Sequence, residues 1–473
     1  MAQRKELETA ELAFLQKEYR KNPVLFKPGT FIEDAKTLEP FGIHIPGKAS
    51  FPTGYPKLWP QDFIVEEILS DGSLTTPYTG DLTSTSENQT GETVFATLVK
   101  CGLSTIEALE EIAAASSSGD PHIGFAGIKD KDAITAQRIS IRQKPLTEIM
   151  TLRSPYFFLK DITTGKGFID KGNLSGNRFT ILVRTADPID SEQLLAHIQK
   201  ISREGFYNFF YLQRFGTPRL INYYWGMLIL KGQYERAVRS IIGEPTEREL
   251  PFFHAYRKEL GTHFGDWQWI KNKIAPLPLM LREEMKMVSY LEKNPQDFRG
   301  ALQQIPEQIT LWVFAFSSLL FNMKISSYLA DGQEPPEKLP FFLDRNKVSW
   351  EPYQKMLTEL DMYPADFAYI RPYPQITLRP RSANTKESVK MHSAKIIPEG
   401  VVLEFSLSKG AYATTFLSHF FNLISGAPPT NLPDSIIDLK AELEEEPLKD
   451  TLQYFQKVAY SKKENRFGGF GLG

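Results

Sequence analysis

The sequence predicts an α+β fold: a domain of strands with interspersed helices, interrupted by a helix-rich insertion. Three observations carry this expectation. Apolar and polar residues alternate in "DFIVEEIL" (62–69), "RISIRQ" (138–143) and "RFTILVRT" (178–185), the period of a strand with one buried face. From about residue 217 that texture gives way to long helical segments, clearest in 306–329. A strand-like "VVLEFSLS" (401–408) then restores the first texture. At roughly 100–200 residues per domain, the 473 residues allow two to four domains.

In chain order, residues 4–20 form a polar helix that stops before Asn22-Pro23, and the Pro- and Gly-rich 23–56 read as an extended arm. Residues 70–92 are a Ser/Thr/Gly loop, followed by a strand at 93–100. Ser104 and Glu107 make a capping box for a helix whose apolar face is Ile106, Leu109, Ile112 and Ala113. Asp190 and Gln193 open another, with Leu194, Ile198 and Ile201 on one face and Gly205 at the C′ position. Residues 411–424 read as a helix rich in small residues.

Composition narrows the function. There are 55 Lys and Arg against 57 Asp and Glu, a net charge of −2. That excludes a uniformly basic surface but not a local basic groove. The single Cys101 leaves no intramolecular disulfide. The seven histidines are scattered and neither CxxC nor HExxH occurs, so no zinc site is expected. The charged N-terminus and the short apolar stretch within 311–325 lead to the expectation of a soluble, cytoplasmic protein without a membrane span.

Four stretches bear on chemistry. In "GFAGIKDKDAIT" (124–135), Phe125 and Ile128 have core character, while Gly124 and Gly127 allow close backbone approach. Asp130 then stands among Lys129, Lys131, Arg138, Arg142 and Lys144, and a carboxylate among cations stays ionised. Taken alone, the run also fits a solvated turn with surface ion pairs. In "GNLSGNRFTILVR" (172–184), period two puts Asn177 and Phe179 on one face and Arg178 on the other, and an amide beside a ring can hold a flat heterocycle. A capping Asn and a core Phe fit equally. "YNFFYLQRFGTPR" (207–219) interleaves rings with Arg214 and Arg219, which suits either nucleic acid or an aromatic core. Gly410, Ala411 and Ala413 allow close approach to a helix start.

The ordered set "WPQDFIVEEI", "IGFAGIKDKDAITAQRISI", "SGNRFTILVR", "FYNFFYLQRFG" and "SKGAYATTFLSHFF" resembles the TruD family of tRNA pseudouridine synthases. The resemblance implies a pseudouridine synthase core around a central mixed, largely antiparallel sheet, with an inserted α/β TRUD domain. It also implies isomerisation of uridine to pseudouridine in RNA, at uridine 13 of tRNA, with no cofactor and no metal. Asp130 falls where the family has its catalytic aspartate. Asn177 and Phe179 match the pair lining the uracil pocket, and Lys57 matches a basic residue near the aspartate. Gln213, Arg214 and Phe215 match a motif at the active-site cleft. Lys57 or Lys129 would keep Asp130 ionised. Asp132 departs from the His or Arg usual there.

The implied partner is tRNA or another structured RNA, without a membrane, and a monomer is expected. A non-catalytic RNA-binding protein or tRNA chaperone on the same fold is the alternative. The expected division is an N-terminal extension (1–50), the catalytic domain in two parts (51–216 and 376–430), the inserted domain (217–375), and a C-terminal extension with a mobile tail (431–473).

Overall fold

The structure is a computed structural model describing residues 2–80, 92–114, 122–342, 347–376 and 381–460. Residues 81–91 of the long loop expected at 70–92, and the tail at 461–473, lie outside the described residues. The chain divides into two compact units. Ser50–Phe206 and the described residues from Glu387 onward form a sheet unit, whereas Met1–Ala49 and Tyr207–Lys386 form a helical one.

The sheet unit holds strands β1 (Thr53–Pro56), β2 (Phe63–Ile68), β3 (Thr93–Cys101), β4 (His122–Phe125), β5 (Ile134–Arg142), β6 (Phe157–Gly165), β7 (Gly176–Arg184), β8 (Val389–Ile397), β9 (Gly400–Ser408) and β10 (Asn422–Gly426). Neighbours run β10-β1-β7-β2-β5-β3-β6, with β9 pairing β7 and β8, and β4 pairing β5. Among the described pairings of these strands, β2 with β5 and β10 with β1 are parallel and the others antiparallel, so the sheet is mixed and largely antiparallel, as expected. β1 and β2 follow one another along the same side of β7, with Pro56 opposite Val183 and Phe63 opposite Ile181. Residues 57–62 bulge out between them.

Strand alternation buries two faces. Val94, Ala96 and Leu98 of β3 pack with Ile139 and Ile141 of β5 against Ala108, Leu109 and Ile112 of the Thr105–Ala114 helix. Val99 and Cys101 point the other way and, with Ile64, Ile134, Phe158, Leu182 and Val402, meet Leu439, Leu448, Leu452 and Phe455. The described part of the expected C-terminal extension therefore forms one side of this core. The helix caps form as the sequence requires: Ser104 N–H donates to Glu107 at 2.8 Å, closing a capping box, and Gln193 N–H donates to the Asp190 side chain at 3.0 Å.

In the helical unit, the 25-residue helix Pro306–Ala330 is longer than the apolar stretch read from the sequence. By length and composition it could cross a membrane, but 67% of its apolar window is buried within the protein, the setting of a core helix. Its Asn322 Nδ2 donates to the carbonyls of Phe41 (3.0 Å) and Phe210 (2.8 Å). The stretch read as an extended arm is more ordered than that: it contains the helical turns Pro23–Phe26 and Ala35–Leu38, and Phe26 stacks on Phe252 at 4.8 Å. Residues 1–49 belong to this helical unit, as do 207–216 and 376–386, which the expected boundaries put with the catalytic domain.

A further element differs from expectation. The helix in 411–424 spans only Ala413–Leu417, and the chain then enters β10, where Asn422 pairs with Thr53. An apolar run of this length fits a buried strand as well as a helix, and Asn422 Nδ2 anchors the strand by donating to the Phe51 carbonyl at 2.8 Å.

Candidate active site

The centre of the site is the connection from β4 to β5, which carries Asp130. The backbone around it is held by buried polar side chains. Lys129 N–H donates to Thr105 Oγ1 (2.9 Å), Thr105 Oγ1 donates to Gln137 Oε1 (2.9 Å), and Gln137 Nε2 donates to the Gly127 carbonyl (3.0 Å). Lys100, from the end of β3, donates through Nζ to the Asp130 carbonyl at 2.6 Å and to that of Lys129 at 3.4 Å. Gly124 is required by packing, because a Cβ there would lie 2.3 Å from the Ile169 carbonyl oxygen. Gly127 faces no such crowding. Ile128, expected in the core, is 68% exposed beside Asp130.

Lys57 reaches the aspartate from the bulge between β1 and β2. Its Nζ lies 3.0 Å from Asp130 Oδ1 and 4.0 Å from the Phe63 ring centroid. Lys57 adopts φ +66°, a left-handed conformation uncommon outside glycine and associated with functional sites. The neighbours hold it there. Tyr55, Leu58 and Trp59 are buried together with Ile424. Asp62, which accepts from the Trp59 N–H, takes two hydrogen bonds from Arg184, at 2.7 and 2.8 Å.

The Asp130 side chain is 49% exposed. The crowding around it acts to raise its pKa, but the charge and hydrogen bond of Lys57, followed by the charges of Lys100 and Lys129, outweigh this and hold the carboxyl below its ordinary range. Lys129 itself is committed elsewhere: its Nζ lies 2.7 Å from Glu67 Oε2 and 2.7 Å from Asn177 Oδ1. Of the other cations near in sequence, Lys131 pairs with Glu107, Arg138 binds the Asp161 carbonyl, Arg142 that of Gly167, and Lys144 that of Ile112.

Phe179 is only 7% exposed, stacked on Phe405 at 5.4 Å and edge-on to Phe63 at 6.1 Å. Phe63 thus links the ring expected at the uracil to the Lys57 ammonium. Lys57, Lys129, Asp130, Asn177 and Phe179 therefore fall in the sheet unit, where ion pairs, a hydrogen bond and ring contacts tie them into one neighbourhood. Gln213, Arg214 and Phe215 belong to the helical unit. There Gln213 is exposed, Arg214 lies over the Phe210 ring at 5.1 Å, and Phe215 is buried against Phe41 and Tyr223. Sequence reasoning missed Lys100 and Thr105. Lys100 left a signal: it continues the apolar Val94, Ala96, Leu98 alternation with a charge.

A family model described as tRNA pseudouridine synthase D (TruD) matches residues 54–339, more than half of the chain. The chain belongs to that family. It is similar to a probable tRNA pseudouridine synthase D 1 of Methanocaldococcus jannaschii, 31% identical over 287 residues, covering 60% of this chain and 71% of the relative. It is also similar to a probable tRNA pseudouridine synthase D of Methanopyrus kandleri, 28% identical over 340 residues, covering 68% and 83%. The crystal structure of a putative TruD from Methanosarcina mazei superposes with a TM-score of 0.63 at 23% identity, over 81% of this chain and 97% of that one. The TruD fold is therefore the fold of this chain, and membership of the family makes it an isomerase.

The arrangement can present one ionised carboxylate to an electrophilic carbon, and its counter-cation is already in place. That is the requirement for nucleophilic attack by a carboxylate, and equally for removal of an acidified proton.

Proposed function

We propose that this protein isomerises uridine to pseudouridine in tRNA, at position 13, with Asp130 as the catalytic carboxylate. The observation that carries this reading is an accessible Asp130, held ionised by Lys57 at 3.0 Å, in a segment that resembles the family's catalytic motif. The bond from the ribose C1′ to uracil N1 breaks, the base rotates, C1′ joins C5, the C5 proton leaves to solvent, and N1 takes up a proton in its place. The target base would have to leave its stack and rest at Asn177 and the Phe179–Phe63 aromatic wall. Asp130 would act either on the sugar or base as a nucleophile or on a sugar proton. The rest of the reading is a monomer acting in the cytoplasm.

The test is tritium release from 5-tritiated uridine in tRNA by the wild type and by Asp130→Asn, followed by mapping of the modified position. Release by the wild type alone supports the reading. Equal release by both removes Asp130 from the mechanism. Tight tRNA binding without release by either would make the protein an RNA binder on this fold.

A further inference from the structure

The buried Lys100 has no part in the scheme above. It occupies the position where β3 would continue its apolar face, and its side chain is fully buried. An ammonium there is costly unless its donors are met. Those donors go to the carbonyls of Asp130 and Lys129, the two residues that carry the site's carboxylate and its Asn177 contact. A methionine would fill similar space without a charge, so packing alone does not account for the lysine.

We infer that Lys100 is a positioning residue for Asp130: its ammonium fixes the peptide that carries the carboxylate and supplies a second positive charge to it from the strand side, opposite in origin to Lys57. This rests on the assignment of catalysis to Asp130. The charged groups facing this pair are Lys57 from the β1–β2 bulge, Lys129 on the same loop with Glu67 of β2, and Glu107 of the Thr105–Ala114 helix. Burial pushes the Lys100 pKa down to about 8, and the Asp130 charge only partly opposes this. The ammonium is therefore present at neutral pH and lost as the pH rises through about 8.

The test is the pH dependence of kcat and KM for tritium release from tRNA by wild type, Lys100→Met, Lys144→Met and Asp130→Asn. Lys144 is the control, a buried lysine whose Nζ donates to the Ile112 carbonyl at 2.9 Å. The expected result is a wild-type kcat that declines above about pH 8, and a Lys100→Met kcat about ten-fold lower at neutral pH with that decline abolished and KM unchanged. Lys144→Met should keep the wild-type profile. A Lys100→Met enzyme with wild-type kcat and the same alkaline decline overturns the inference, provided Asp130→Asn is inactive. An active Asp130→Asn overturns the assignment of catalysis instead. Should Lys100→Met fail to fold, the wild type decides: a kcat that stays level through about pH 8 overturns the inference, and a decline with unchanged tRNA affinity supports it.

Discussion

Two charged clusters share the sheet unit and differ in kind. Around Asp130, the cations Lys57, Lys100 and Lys129 face the carboxylates Asp130 and Glu67, and the aspartate is left accessible. Around Lys440, the cations Lys440 and Arg178 are met by Glu66, Glu404 and Glu445, and Lys440, Glu66 and Glu404 are buried. The same two strands feed both. Glu67 and Asn177 turn to the first cluster, while their neighbours Glu66 and Arg178 turn to the second. The second cluster closes on itself, every charge answered inside the protein. The first keeps one carboxylate in reach of a substrate. Burial with mutual satisfaction builds structure; charge held in readiness at an accessible atom builds a site.

Four experiments sharpen or break this contrast. The largest effect should come from Asp130→Asn, which is expected to lower tritium release at least about a thousand-fold while leaving the urea midpoint where it was. A comparable loss from a change in the Lys440 cluster would dissolve the distinction. Second, Lys440→Met strands buried carboxylates and should cost about 3–5 kcal/mol by urea unfolding, with turnover per folded molecule preserved. Third, Lys57→Met should reduce kcat about ten-fold or more. It should also move the acid limb of activity upward, because Lys57 helps hold the Asp130 pKa down. A limb that stays put would show that Lys57 acts otherwise.

The smallest effect concerns acid. Burial acts to raise the Glu404 pKa, but the hydrogen bonds and charges of Arg178 and Lys440 outweigh it and lower the value to about 2. A carboxyl depressed on folding contributes stability that is present above its unfolded pKa and lost as the pH falls toward the folded value. Stability should therefore decline in acid from about pH 4.5 toward about 2, and Glu404→Gln should flatten that slope. Glu66, raised by burial, works in the opposite sense and limits the effect.

What could be read in advance followed from local physics. The Ser104–Glu107 and Asp190–Gln193 caps are made within four residues, and period two in 172–184 puts Asn177 and Arg178 on opposite faces. Three features needed the tertiary structure. Residues 422–426, at the end of an apolar run, form a strand only because Thr53 and Gly54 lie alongside. β8 escaped notice because its residues are mostly not buried and carry no clear pattern. Lys57 sits left-handed without a glycine to announce it, held by Asp62 and Arg184, which are 122 residues apart. Ile128 is exposed despite its hydrophobicity, which alone does not tell a core residue from an exposed one in a loop.

The cover of the sheet's outer face imposes an order on biosynthesis. Leu439, Leu448, Leu452 and Phe455 are among the last described residues to leave the ribosome, yet they seal Ile64, Val99 and Leu182, made long before. β9, the partner of β7 along its whole length, likewise arrives only after the entire helical unit. Domains emerge N-terminal first, and pairings distant in sequence close slowly. The nascent sheet must therefore wait with an apolar face uncovered, and a chain cut before Leu439 is expected to remain a chaperone client rather than mature.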